Sequence, residues 1–145
     1  MIAIDTNILI YAHREDFPQH RAAKAALNEL HMSQQNWAIP VVCVHEFLSQ
    51  VTGFRAPYTP TPVASAFMQL RAWMESETLT LLQPTEQHVD VLEKVVTQGQ
   101  ARGGQIHDAR IAAICLEHGV RELWTADRDF ARFATLLPTR NPLNS

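Results

Sequence analysis

The sequence has few cysteines, no long apolar run and no block of charge, and each absence narrows the class of protein. Only two cysteines occur, Cys43 and Cys115, both in apolar surroundings and without C-x-x-C spacing, so we expect reduced core residues. No stretch approaches the ~18 consecutive apolar residues of a membrane span, and the apolar amino terminus meets a charge too soon for a signal peptide. We therefore expect a cytoplasmic protein without a membrane anchor.

The composition is that of a folded protein. Hydrophobic residues make up 46% of the chain and charged residues 19%, with no repeat or low-complexity tract that would indicate disorder. A chain of 145 residues can bury a sizeable core, and we expect a single domain over residues 1–145. The net charge of −3 does not by itself indicate a nucleic-acid partner.

The first ten residues are apolar apart from a break at Asp5-Thr6-Asn7. The run is hydrophobic on both faces, which is typical of a strand buried in a parallel sheet. A buried carboxylate is costly unless it is paired, hydrogen-bonded or bound to a metal, so we expect Asp5 where the strand ends and a pocket begins. Asp5 could equally cap the following helix, and this stretch alone does not separate the two interpretations.

Apolar strands alternate with amphipathic helices along the rest of the chain. Strands are predicted at residues 1–4, 37–42, 79–82 and 122–125, with at most a short last strand at 136–138. Helices are predicted at 8–14, 62–76, 85–99 and 106–117, with a helical turn at 127–133. A further helix is predicted to begin within residues 16–18 and end within 33–36, and another follows residue 42. This alternation predicts an α/β fold with a parallel sheet covered by helices on both faces.

Acidic residues follow three of these strands. Asp5 ends the first strand, Glu46 lies just beyond the second, and Asp127 and Asp129 follow the strand at 122–125. Parallel sheets have their ligand-binding sites at the carboxyl ends of the strands, so we expect these carboxylates to lie close together. Each has a structural alternative: Glu46 lies opposite the apolar stripe of its helix and could be solvated, and Asp127 with Asp129 could cap a helix.

Asp108 is the fifth candidate. On its helical wheel Asp108 falls between Ile111 and Ala112, in the middle of the apolar arc, with Arg110 and Glu117 on the opposite side. A carboxylate on a buried face needs a cation. The alternative is a structural role at the amino end of the helix, where the helix dipole stabilises an acid.

Carboxylates without histidine or cysteine suit hard cations such as Mg²⁺ or Mn²⁺. His45-Glu46 is not followed by the second histidine of a zinc protease, and the chain has no glycine-rich phosphate loop and no serine in a nucleophile elbow. If the five acids hold metal, the rest of the chain has a slight excess of basic residues. That balance permits a nucleic-acid partner.

Four motifs in order resemble those of a PIN-domain ribonuclease, and most closely the VapC-type toxins of bacterial toxin–antitoxin pairs. They are Asp5-Thr6-Asn7, Glu46, Ile106-His107-Asp108-Ala109 and the run from Trp124 to Phe130. The resemblance spans the chain and implies a three-layer α/β/α fold with about five mainly parallel strands. It implies Asp5, Glu46, Asp108 and Asp127 as catalytic, metal-binding acids, Asp129 as an additional ligand, and Thr6, Asn7 and Thr125 as residues that orient them.

The implied activity is Mg²⁺- or Mn²⁺-dependent endoribonuclease action, in which a metal-activated water hydrolyses a phosphodiester bond. Two alternatives remain from the residues themselves. A haloacid-dehalogenase-like phosphatase needs a second aspartate where Asn7 stands, and a PIN-like domain could bind RNA or protein without cutting it. Candidates for phosphate contacts are Arg14, Arg55, Arg102, Arg110 and Arg128.

The helix at 62–76 suggests a protein partner. Its apolar residues cover more than half of its circumference, wider than one sheet face requires, and Phe54 and Tyr58 precede it. We therefore expect a groove for an amphipathic partner helix, unless this helix is sandwiched within its own domain. The resemblance adds a homodimer held inactive by a small antitoxin, whose arginine or lysine would enter the acidic pocket.

Overall fold

A five-stranded parallel sheet forms the middle of the fold. The computed structural model describes residues 1–144, and its strands are Ile2–Ile4 (β1), Trp37–Pro40 (β2), Leu79–Leu82 (β3), Glu122–Trp124 (β4) and Thr139–Arg140 (β5). The strand order is β3-β2-β1-β4-β5, and every neighbouring pair is parallel. The prediction of about five mainly parallel strands is confirmed.

Helices cover both faces of this sheet. They are Thr6–His13 (α1), His20–Ser33 (α2), Val41–Thr52 (α3), Val63–Met74 (α4), His88–Gly99 (α5) and Ile106–Glu117 (α6), with 3₁₀ helices at Gly103–Gln105 and Arg128–Phe133. Helix α1 packs on α2 and α3, α3 packs on α4, and α5 packs on α6. The chain steps from β1 through β2 to β3 and then returns to β4. Because crossovers between parallel strands are almost always right-handed, this change of direction puts the two helix groups on opposite faces of the sheet. The α/β/α prediction is confirmed.

Burial follows the position of each strand in the sheet. Every residue of β1 and β2 is buried, whereas the edge strands β3 and β5 are partly exposed. Cys43 and Cys115 are buried and unpaired, as predicted. Within residues 1–144, no helix combines the length and apolar character needed to cross a membrane.

Several predicted boundaries are wrong: α1 begins at Thr6 instead of residue 8, α5 begins at His88 instead of residue 85, and three others differ as follows. The last strand is Thr139–Arg140 instead of residues 136–138, because the Leu136 and Leu137 N–H groups both bond to the Phe133 carbonyl and Leu137 enters the core. Strand β2 stops at Pro40, the N-cap of α3. Helix α2 begins at His20, since the preceding residues form turns in which Arg14 pairs with Asp16.

Candidate metal centre

The carboxyl ends of β1 and β4 lie side by side, and the direction of the chain connections changes between them. Asp5 leaves β1 here, with its N–H donating to the Trp124 carbonyl of β4 at 3.0 Å. Open α/β sheets bind ligands at such a switch point, because loops on either side diverge and leave a crevice. The fold therefore directs the residues after both strands toward one site.

Asp5 is both a helix cap and a member of the acidic centre. It is 4% exposed and accepts hydrogen bonds from Thr6 N and Thr125 Oγ1, each at 2.7 Å. Burial raises the pKa of Asp5 to about 7, and the negative charges of Asp108 and Glu46 add to this rise, while the two hydrogen bonds offset part of it. The two interpretations of Asp5 are therefore compatible.

Thr125 connects the two strand ends. Its hydroxyl donates to Asp5 and accepts from Asp127 N at 3.0 Å and from Asn7 Nδ2 at 3.4 Å. Asn7 Oδ1 in turn accepts from Ala126 N at 3.2 Å. These bonds fix the first residues after β1 against the first residues after β4. Thr125 and Asn7 thus lie where orienting residues would be needed.

Asp108, Asp127 and Asp129 form a tight cluster. Each offers a carboxylate oxygen, and these oxygens all lie within 4.8 Å of one another. Asp127 caps the 3₁₀ helix Arg128–Phe133 by accepting from Asp129 N at 2.9 Å, so the capping alternative is also realised. Burial raises the pKa of half-buried Asp108 to about 6, with further rises from the charges of Asp127, Glu46 and Asp129.

Glu46 approaches the centre from α3. Its side chain is 30% exposed, and it accepts from Thr6 Oγ1 and from Arg110 Nη2, both at 2.9 Å. The helical wheel correctly indicated a partly solvated residue. Its charge contributes to the raised pKa values of Asp5 and Asp108, but it is not among the three acids whose oxygens cluster.

The five predicted phosphate-binding arginines divide into three groups. Arg14 is a wrong candidate, because it is buried and its Nε, Nη1 and Nη2 are bonded to Asp16, the Thr59 carbonyl and Thr61. Arg110 is engaged with Glu46, a pairing that the sequence did not suggest because the wheel put Arg110 on the side of its helix opposite Asp108. The remaining three are exposed: Arg55, Arg102 and Arg128.

An apolar surface on α4, the α4 patch, is formed by exposed side chains. Ala66 and Leu70 of this helix face the core, as a helix on one sheet face requires. The patch consists of Val63, Phe67, Met68 and Met74. Phe54 does not belong to it, because its ring lies 5.7 Å from Phe17 in a separate, partly exposed aromatic cluster that also includes Tyr58.

A parallel α/β/α sheet with acids gathered at its switch point is the architecture of a PIN domain. The model of the PIN domain family matches residues 2–136, and the chain belongs to this family. Two relatives within this family are ribonucleases by name. The chain is 33% identical over 143 residues to ribonuclease VapC25 of Mycobacterium tuberculosis, covering 99% of this chain and 100% of that one. It is 32% identical over 144 residues to ribonuclease VapC43 of the same species, with 99% and 97% covered.

Solved structures support the fold independently. The structure of VapBC2 from Rickettsia felis, bound to a DNA fragment from its promoter, matches with a TM-score of 0.70 and 18% identity, covering 97% of this chain and 98% of that one. M. tuberculosis VapC20, described as a toxin that cleaves the sarcin–ricin loop, matches with a TM-score of 0.66 and 17% identity, with 97% and 100% covered. At such identities the likeness shows the fold alone.

Proposed function

We propose that this protein is a metal-dependent endoribonuclease of the VapC type. Its catalytic acids are Asp5, Glu46, Asp108 and Asp127, with Asp129 as a further ligand. The observation that carries the proposal is the cluster of Asp108, Asp127 and Asp129 oxygens within 4.8 Å, placed at the sheet edge beside buried Asp5. RNA is the proposed substrate because full-length relatives at 32–33% identity, VapC25 and VapC43, are ribonucleases by name.

The donor set fits Mg²⁺ or Mn²⁺. Hard divalent cations prefer carboxylate oxygens, and the cluster supplies three side chains with no histidine or cysteine among them. Burial raises the pKa values of Asp5 and Asp108, and the charges of neighbouring acids raise them further, which supports a crowding of negative charge at this edge of the sheet. A cation would relieve that crowding. We assign Asp108, Asp127 and Asp129 as its ligands, with Asp5 and Glu46 completing the site.

A divalent ion in such a site lowers the pKa of a water molecule and neutralises charge on a phosphodiester. The residues of the chain hold the acids in position. Thr6 and Thr125 hold both oxygens of Asp5, so its carboxylate cannot rotate away from the centre. Asn7 holds Thr125, and the exposed arginine Arg128 lies next to Asp127, where it can contact an RNA phosphate.

RNA cleavage by purified protein tests the proposal. Wild type with Mn²⁺ is expected to cut members of a pool of structured RNAs, and Asp108→Asn is expected not to. Asp90→Asn is the matched control, because Asp90 is an exposed aspartate in the first turn of α5, outside the centre. If wild type leaves the pool intact with Mn²⁺ present, the ribonuclease proposal fails.

The proposal includes a small antitoxin protein as partner, a homodimer, and action in the cytoplasm. The exposed apolar side chains of the α4 patch support a protein partner, because exposed apolar surface is a feature of interfaces. Expression of the gene alone and together with the neighbouring small open reading frame tests this. Growth arrest that requires Asp108 and is relieved by co-expression is the expected result. Harmless expression alone, without a co-purifying small protein, would contradict it.

A further inference from the structure

One ion pair among residues 1–144 joins a basic side chain to an acid of the proposed centre. Arg110 Nη2 lies 2.9 Å from Glu46 Oε1, and the other two pairs, Arg14–Asp16 and His88–Glu117, lie elsewhere. Arg110 follows Asp108 by two residues on α6, whereas Glu46 is on α3. The pair therefore links two elements that both supply acids to the centre.

Glu46 lies outside the cluster of three acids. Glu46 Oε1 faces Arg110, and its Oε2 accepts from Thr6 Oγ1 at 2.9 Å. The three acids whose oxygens lie within 4.8 Å of one another are Asp108, Asp127 and Asp129, and Glu46 is not among them. Both oxygens of Glu46 are thus occupied by donors of the chain itself.

Arg110 is held much more loosely than a structural arginine of the same protein. Arg14 is buried, with all three of its nitrogens hydrogen-bonded. Arg110 has one hydrogen bond, to Glu46, and its Nε is buried without a partner among the described residues. Its side chain is 35% exposed, so water screens the pair and can replace the bond. Such a contact can open when a stronger competitor for Glu46 arrives.

We propose that Arg110 is an internal counter-ion that holds Glu46 out of the metal cluster and competes with the divalent cation for it. The inference rests on the proposed metal centre. A carboxylate oxygen that accepts from a guanidinium cannot at the same time give its full charge to a cation. The positive charge of Arg110 also repels a cation bound by Asp108 on the same helix. Arg110 therefore stabilises the metal-free centre and weakens metal binding.

Calorimetric Mn²⁺ titration of a double-mutant cycle tests this role. Arg110→Met is expected to bind Mn²⁺ at least roughly threefold more tightly than wild type. The substitution removes the guanidinium that competes for Glu46 and whose positive charge repels the cation. In a Glu46→Gln background the gain is expected to shrink, since the amide at position 46 carries no charge for which Arg110 could compete. Arg128→Met is the matched control: it removes an exposed charge beside Asp127 and Asp129, and its effect is expected to be the same in both backgrounds.

Two further readouts separate this role from a purely structural one. The metal-free melting temperature of Arg110→Met is expected to fall, because Glu46 loses its counter-ion. Arg110→Lys, which keeps the charge, is expected to restore most of the wild-type melting temperature and Mn²⁺ affinity.

Unchanged or weaker Mn²⁺ binding by Arg110→Met, or an equal gain in the Glu46→Gln background, would overturn the counter-ion role. Wild type that binds no Mn²⁺ would overturn it together with the metal centre. If Mn²⁺ binding follows the predicted cycle but RNA is not cut, the counter-ion role is supported and the ribonuclease proposal fails by itself.

Discussion

Asp5 and Glu117, the last residue of α6, both accept hydrogen bonds from residues at the start of a following or neighbouring helix, yet their pKa values move in opposite directions. The Glu117 side chain is 1% exposed and accepts from Thr85 N and Thr85 Oγ1 at 2.8 Å and from His88 Nδ1 at 2.6 Å. Burial by itself raises the pKa of Glu117, but the hydrogen bonds from His88 and Thr85 outweigh it, and the pKa is lowered.

Asp5 has comparable hydrogen bonds but different neighbours. Thr6 and Thr125 donate to it, but burial, together with the negative charges of Asp108 and Glu46, raises its pKa to about 7. A buried acid beside a histidine and several donors is satisfied by the chain itself. A buried acid among other acids lacks counter-charge. Burial is the largest cause of the raised pKa of Asp5, and neighbouring acids add to the rise, whereas His88 and Thr85 offset the burial of Glu117. A buried acid left without such a partner marks the sheet edge as the functional centre.

The largest expected effect is the loss of RNA cleavage on substitution of an acid at the sheet edge, a loss that is not expected for Glu117. Asp108→Asn should lower RNA cleavage roughly 1000-fold or more, because it removes a proposed ligand. The metal-free variant should melt at or above wild type, since no hydrogen bond to the Asp108 side chain is found within residues 1–144 and the substitution relieves repulsion. Single-turnover cleavage and thermal melts in EDTA measure the two quantities. A folded Asp108→Asn variant that retains full cleavage would remove Asp108 from the centre.

The next effect is a pH dependence of stability in the metal-free protein. Asp5 and Asp108 have folded-state pKa values of about 7 and about 6, above their ordinary value of 3.8, so the native state binds more protons than the unfolded chain over this interval. The free energy of unfolding should therefore fall as pH rises from about 4 to about 7, with Asp5 contributing about 3 kcal/mol.

Urea denaturation at several pH values, with EDTA present, measures this trend. Glu117 acts in the opposite sense and in another interval: its stabilisation is present above its ordinary pKa and is lost as pH falls through the lowered value. Added Mn²⁺ should weaken the fall, because it favours the ionised acids. A free energy of unfolding that rises between pH 4.5 and pH 7 in EDTA would show that folding does not raise the pKa of Asp5.

The smallest of these effects concerns Glu117. Glu117→Gln should destabilise the protein by about 2 kcal/mol, because the Thr85 and His88 donors lose a charged acceptor in a buried position. For a chain of this size that corresponds to a fall in melting temperature of about 6 °C. Mn²⁺ affinity, measured by titration below the melting transition, should be unchanged. A large loss of Mn²⁺ affinity would show that Glu117 is coupled to the proposed metal centre, and would contradict the distinction drawn between Glu117 and Asp5.

The comparison also shows what the sequence can predict. Asp5 and Asp127 could be located because apolar strands and their ends are visible as local patterns, and parallel strands bring their ends together. Glu46 could be placed only by its position after β2 and by the resemblance, because its helix face points away from the core. Its contact with Thr6 depends on how α3 meets the end of β1.

For Glu117 the sequence predicted too much exposure. Its wheel position predicted a polar face of α6, but the structure buries its side chain under Thr85 and His88 at the start of α5. Periodicity describes one helix and contains no information about which neighbour covers it. Arg110, on that same polar face, was missed as a partner of Glu46 for this reason.

The thermal shift caused by Mn²⁺ tests most directly whether this sheet edge is a cation site. Wild type should melt at a higher temperature with Mn²⁺, by the equivalent of about 2.7 kcal/mol at 100 times the dissociation constant. Glu117→Gln should show the same upward shift from a lower starting temperature, and Asp108→Asn should show little or none. No shift for wild type at millimolar Mn²⁺, or an equal shift for Asp108→Asn, would contradict the assignment of the acidic cluster as a metal centre.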